Sequence, residues 1–162
     1  MITNYVPRIG DFGIIKSNGI AARLIQIGTL SRWNHAFIYI GNGLIVEANP
    51  TGVTISEMSE YSNIAWNQHE VLTDDQRTEI VKFALAQVGK PYNFFIIGNI
   101  ALRILGLKML AKTKLMYKLA QQDGYICSEL VAESYSRVGL PLGNKADDLI
   151  TPGDLAERLI YQ

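Results

Sequence analysis

Runs of alternating or continuous apolar residues gather in the middle of the chain, and apolar residues spaced three and four apart gather towards its C-terminus. Gly10 to Lys16 reads as a short strand. From Asn18 to Ile27, Ile20, Leu24 and Ile27 recur at helical spacing behind a Ser-Asn cap signal. HAFIYI, Leu44 to Ala48 and Gly52 to Ile55 read as strands, the first two joined around Gly41-Asn42-Gly43. Asn63 to Leu72 adds the expectation of another strand. Thr73-Asp74-Asp75-Gln76 has capping-box spacing and opens a helix carrying Ile80, Val81, Ala84, Leu85 and Val88, which Gly89 and Pro91 close. A long apolar stretch follows from Asn93 to about Leu119. Cys127 then opens a helix, SELVAESYSRVG, stopped by Gly139 and Pro141, and Thr151-Pro152 caps a short closing helix. Strands in the middle and helices after them predict an α+β fold, a central antiparallel sheet packed against helices with a cysteine at a helix N-terminus.

Length adds that the chain forms one domain over 1–162, large enough to bury a substantial core. No repeat, linker or low-complexity tract divides it. Fifteen basic and fifteen acidic side chains cancel, so the usual electrostatic footprint of a nucleic-acid partner is missing. A single cysteine rules out an internal disulfide framework and suits a reducing compartment. MITNYVPRIGDFG lacks a basic start followed by an apolar run, so no signal peptide is expected and the default address is the cytoplasm. Nothing in the sequence sets an oligomeric state.

The chemistry that could matter begins at Cys127. A free cysteine is most often a small buried hydrophobe. At a helix start, however, unpaired N–H groups and the positive dipole end favour thiolate, and the same amides could hold an oxyanion. The plain alternative is that Cys127 and Leu130 face the core. A thiolate nucleophile needs a base, and the chain has two histidines, His35 and His69. His35 begins an apolar strand, where a rigid scaffold can present it. His69 lies in the mixed polar stretch NIAWNQHEV, so His35 is preferred.

Strand pairing then nominates a third member. A three-residue loop, Gly41-Asn42-Gly43, sets Ile40 opposite Leu44, Phe37 opposite Glu47 and His35 opposite Asn49. Glu47 and Asn49 then share the face of His35, Asn49 directly opposite and Glu47 on the diagonal. A two-residue loop would turn Glu47 to the other face. Either residue could fix the imidazole tautomer. Glu47 is also a carboxylate inside the apolar run LIVEA, which calls for a partner.

The order of these pieces resembles the circularly permuted branch of the NlpC-type, papain-like cysteine hydrolases, most of all its YiiX-like members. The resemblance rests on Gly10-Asp11, NHAFIYIGNGLIVEA, GKPYN at 89–93, YICSELV at 125–131 and TPGDL at 151–155. The histidine precedes the cysteine, the reverse of the ordinary papain-like order. It implies a Cys127–His35–Glu47 triad and hydrolysis or transfer at a carbonyl, with no metal and no cofactor. The aspartate usual after the Pro-Tyr pair is Asn93 here, which is given no role. Tyr125, Ser128 and Asn49 are candidates for lining the substrate site or assisting the oxyanion.

Substrate choice turns on FFIIGNIALRILGLKMLA, close to the length of a membrane span. Arg103 and Lys108 make spanning costly, and Gly98 and Gly106 weaken the helix, so no integral span is expected. The stretch reads either as a buried helical pair or as a lid making peripheral lipid contact through 94–119. Related thiol enzymes of the lecithin:retinol acyltransferase type act on acyl lipids. Three functions therefore stand: a peptidase or amidase on a peptide, isopeptide or cell-wall peptide; a lipid acyl hydrolase or transferase; and a non-catalytic ligand-binding module. Two histidines and one cysteine with no close ligand pair argue against zinc, and no glycine-rich loop has phosphate-cradle spacing.

Overall fold

The structure is a computed structural model and describes residues 5–16, 31–68, 71–95, 98, 106, 124–143 and 150–160. The expected helix at 18–27, His69 and nearly all of the apolar stretch at 94–119 lie outside the described residues.

Five strands form one antiparallel sheet: β1 (Phe12–Ile15), β2 (His35–Gly41), β3 (Leu44–Asn49), β4 (Gly52–Glu57) and β5 (Ala65–Trp66), in the order β4-β3-β2-β1-β5. Three helices follow among the described residues: α1 (Asp74–Ala86), α2 (Cys127–Ser136) and α3 (Pro152–Ile160). This is the α+β architecture that the pattern predicts. Of the strand expected between Asn63 and Leu72, only Ala65–Trp66 forms among the described residues, on the β1 edge. Leu72 instead buries itself ahead of α1.

Alternation sorts the sheet into two faces. Phe12, Ile14, Ala36, Ile38, Val46, Ala48 and Val53 meet Ile80 and Ala84 of α1, Leu130, Val131 and Tyr135 of α2, and Leu155 of α3. Ile15, Phe37 and Ile45 point the other way, under Tyr39, Met58, Tyr61, Ile64 and Trp66. The helices thus cover one face, and an aromatic cluster covers the other.

The helix ends follow from local chemistry. The Thr73 hydroxyl accepts from the Gln76 N–H at 3.2 Å, while the Gln76 side chain accepts from the Thr73 N–H at 3.0 Å, a complete capping box. Thr151 and Asp154 repeat the arrangement at α3. A buried ion pair, Arg77 to Asp11 at 2.7 Å, ties α1 to the segment before β1, and Tyr5 and the Arg8 N–H also donate to Asp11.

The hairpin that sets the site differs from expectation. Its loop is the two-residue turn Asn42-Gly43, with Gly41 opposite Leu44 and a bulge between Tyr39 and Gly41. Asn42 and Gly43 have φ of 53° and 73°, the left-handed pair of an Asn-Gly hairpin turn. The extra bulged residue shifts the pairing by one. Phe37 therefore still stands opposite Glu47.

Candidate active site

His35 is the first residue of β2 and Cys127 the first of α2. The side chain of His35 alternates away from Ala36 and Ile38, which face the helix, yet the ring is close enough to the Cys127 side chain for that group to favour its charged form. The two meet because each begins its element, at the rim of the sheet rather than on its face.

Glu47 holds the other side of the ring. His35 Nε2 lies 2.5 Å from Glu47 Oε2. The Glu47 side chain is 2% exposed and that of His35 13%. Burial alone would push the carboxyl up, but the hydrogen bond and charge of His35, with donors from Ser56 and Tyr61, outweigh it and hold Glu47 at about 2. It is thus an anion that accepts, so Nε2 carries the hydrogen and Nδ1 is left for the thiol. Burial likewise opposes charge on His35, but hydrogen bonds to Cys127 and Glu47, and the charges of both, raise the ring to about 10. An imidazolium between two acidic partners is the state this geometry favours.

The carboxylate is satisfied all round. Oε2 also accepts from the Tyr61 hydroxyl at 2.7 Å, and Oε1 accepts from Ser56 at 2.6 Å and from the Asn49 amide at 3.5 Å. Asn49, the other candidate for the third position, donates mainly to Thr54 at 3.1 Å and accepts from Thr51. Glu47, not Asn49, is the residue on the imidazole.

Tyr61 and Ser56 escaped sequence reasoning. Ser56 was within reach, because Glu47 faces Thr54 in the β3–β4 register and Ser56 is the next residue on that face. Tyr61 follows the 3-10 turn Met58–Glu60, where no period fixes a direction.

The remaining candidates have other partners. The Ser128 hydroxyl donates to Ile150 O at 2.6 Å. The Tyr125 hydroxyl bonds Glu133 at 2.9 Å and Gln87 at 3.2 Å. Its backbone instead pairs with 91–93, Tyr125 N–H to Pro91 O and Asn93 N–H to Tyr125 O, both at 3.1 Å. That bridge brings Tyr92 beside the cysteine: burial and then the charge of Cys127 raise its hydroxyl above the usual tyrosine value. At the start of α2 the Ile126 cap makes no side-chain hydrogen bond, and the nearby Ile126 N–H favours the charged form of Glu129.

No family model matches the chain, and no curated protein matches it. Among solved structures it is similar to the metalloprotein yiiX from Escherichia coli O157:H7, with a TM-score of 0.60 and 19% identity over 94% of this chain and 81% of that one. The likeness is one of fold: an antiparallel sheet with helices, shared across most of both chains, of the YiiX-like kind.

Proposed function

We propose that this chain is a cysteine hydrolase of the circularly permuted NlpC-type arrangement, with Cys127 as nucleophile, His35 as base and Glu47 orienting the base. The observation that carries the reading is the imidazole of His35. Its Nε2 is fixed by a buried carboxylate at 2.5 Å, and the chain's single cysteine is near enough to favour the charged form of the same ring.

In this reading Nδ1 takes the proton of Cys127, and the thiolate forms a C–S bond to an amide carbonyl carbon while the π electrons move to oxygen. N–H groups at the start of α2 stabilise that oxyanion. The intermediate collapses, the C–N bond breaks, and His35 gives its proton to the leaving amine. Water then attacks the thioester, with His35 accepting its proton, and the acid and the thiol are restored. The substrate is a peptide, isopeptide or cell-wall peptide.

A second substrate class, an acyl lipid, is favoured by one observation. Phe94, 59% exposed, packs edge-on against Tyr92 at 4.9 Å, and Tyr92 lies within the field of Cys127. An apolar acyl chain could lie along that aromatic edge.

The superposed protein is described as a metalloprotein. The residues at this site do not fit a metal ion. Each oxygen of Glu47 already accepts two donors, and Nε2 of His35 is bound to that carboxylate, so the side chains hold one another rather than converge on one point. Among the described residues no group of three or more His, Cys, Asp and Glu side chains could hold one elsewhere.

Electrophilic peptide and acyl probes, read by intact mass on the wild type and on Cys127→Ala, test the proposal. Cys127 should react with iodoacetamide near neutral pH at least about tenfold faster than a free thiol of pKa ~8.5. His35→Ala should remove most of that advantage. An ordinary or inert thiol would leave a binding module, and the preferred probe separates peptide from lipid.

A further inference from the structure

The thiol and its base account for His35, Cys127 and Glu47, but not for the group on the far side of the carboxylate. Tyr61 Oη is 2.7 Å from Glu47 Oε2, the oxygen that also faces His35 Nε2. Its ring is anchored independently of that bond. It stacks on Phe37 at 5.5 Å with the planes 12° apart and lies 5.8 Å from the His35 ring. The Tyr61 N–H closes the 3-10 turn by donating to Met58 O at 3.1 Å. Packing therefore delivers the hydroxyl to one carboxylate oxygen, and Ser56 delivers a second hydroxyl to the other at 2.6 Å.

We infer that Tyr61 is a positioning residue of this site: its hydroxyl shares Glu47 Oε2 with His35, keeps the carboxylate anionic and sets how strongly the imidazole is held. The inference rests on the proposed role of the Cys127–His35–Glu47 group.

The physical reason lies in competition for one oxygen. A carboxylate oxygen with two charge-assisted donors divides its charge between them. A second donor stabilises the ionised form of Glu47, so the group stays charged deep into acid. It also keeps the His35–Glu47 bond from monopolising that charge. Tyr61 suits the task because its hydroxyl keeps its hydrogen, and so remains able to donate, under ordinary conditions. Burial, the bond to Glu47, and the charges of Glu47, Glu60 and Cys127 all push its hydroxyl above the usual tyrosine value. His35 is a further ionisable group beside it among the described residues. A water molecule there could turn and donate elsewhere, whereas a phenol stacked on Phe37 cannot.

Tyr61→Phe keeps the ring and removes the hydroxyl, and Ser56→Ala does the same at the other oxygen. The carboxyl carbon of Glu47, followed by carbon-13 NMR through an acid titration, reads the effect directly. Thiol alkylation is measured on the same samples across pH. In Tyr61→Phe the Glu47 titration should move up by about one pH unit, towards the ordinary value for glutamate. The acid side of the alkylation profile should move the same way, while the melting temperature changes little. Ser56→Ala should shift the titration in the same direction through the other oxygen; should Tyr61→Phe fail to fold, the wild-type Tyr61 Cζ carbon, which should report the Glu47 titration in the same NMR experiment, decides the matter. A Glu47 titration unchanged by loss of the hydroxyl would overturn the inference and leave Tyr61 as packing. An unreactive Cys127 in the wild type would instead remove the hydrolase reading, and the carboxyl titration would still decide whether Tyr61 tunes Glu47.

Discussion

At the scale of single residues, the site depends on a charge that burial opposes. Glu47 lies at 2% exposure among Phe37, Tyr61 and the sheet, and it stays ionised because four side chains donate to its two oxygens. Removing one partner from such a set leaves the others unsatisfied, so the cost exceeds that of a single exposed ion pair. Glu47→Gln is the sharpest test, because it keeps the shape and deletes the charge. His35 owes part of its rise to about 10 to the bond and charge of Glu47. In the variant its titration should fall back towards the ordinary value of 6.5, read from the ring nitrogens by nitrogen-15 NMR. Destabilisation of about 1–3 kcal/mol should accompany it in urea unfolding, because the amide presents an NH2 group where only acceptors are wanted. A His35 titration that stays near 10 would mean that Cys127 alone sets the ring.

At the scale of elements, the helix that begins at Cys127 is aimed by the strand-like bridge that precedes it. Gly124 has φ of 157°, and a Cβ there would meet Pro91 O at 2.7 Å, so the segment 124–126 can lie against 91–93 only without a side chain at that position. Gly124→Ala should therefore cost about 1–3 kcal/mol in urea unfolding. It should also slow Cys127 alkylation, since the bridged Tyr125 and Ile126 lead directly into the helix. Wild-type stability and reactivity in this variant would show that the bridge yields without moving the cysteine.

The same scale explains what was legible in the sequence. The Thr73–Gln76 box and the helix behind Cys127 were readable because their signals are local. The pairing of Phe37 with Glu47 was readable too, although the loop behind it was not. A three-residue loop and a two-residue turn with a bulge shift the strands equally, and only the backbone conformation of Gly41 separates them. The strand expected from Asn63 to Leu72 shrank to Ala65–Trp66, where β1 supplies the pairing edge. The placement of His35 and Glu47 side by side, and of Cys127 at a helix start, was legible because strand and helix periods set those positions. Tyr61 was not, because its direction comes from stacking on Phe37 beyond an irregular turn.

At the scale of the molecule, three titrating groups bend stability with pH in different directions. Glu47 is held at about 2, below its ordinary 4.5, so its stabilisation is complete above 4.5 and is lost as pH falls towards 2. His35 is raised to about 10, so its contribution is complete below 6.5 and is lost as pH rises towards 10. Glu129 behaves unlike Glu47. Burial, then opposed by the Ile126 N–H and reinforced by the charge of Glu133, pushes its carboxyl up to about 7, and its Oε2 is buried without a partner among the described residues. A carboxyl raised in the folded state stabilises while protonated, fully below 4.5, and this contribution is lost as pH rises through 7. The three contributions coincide in mild acid, near pH ~5, where those of Glu47 and His35 are complete and that of Glu129 is mostly present. Glu129→Gln separates the third contribution from the other two. Its amide oxygen can still accept the Ile126 N–H, but it cannot ionise. The variant should therefore gain stability relative to the wild type as pH rises from about 4 to about 8, measured by urea unfolding at several pH values. Stability curves that run parallel across that range would mean that Glu129 titrates as an ordinary glutamate and that its buried oxygen meets a donor in solution.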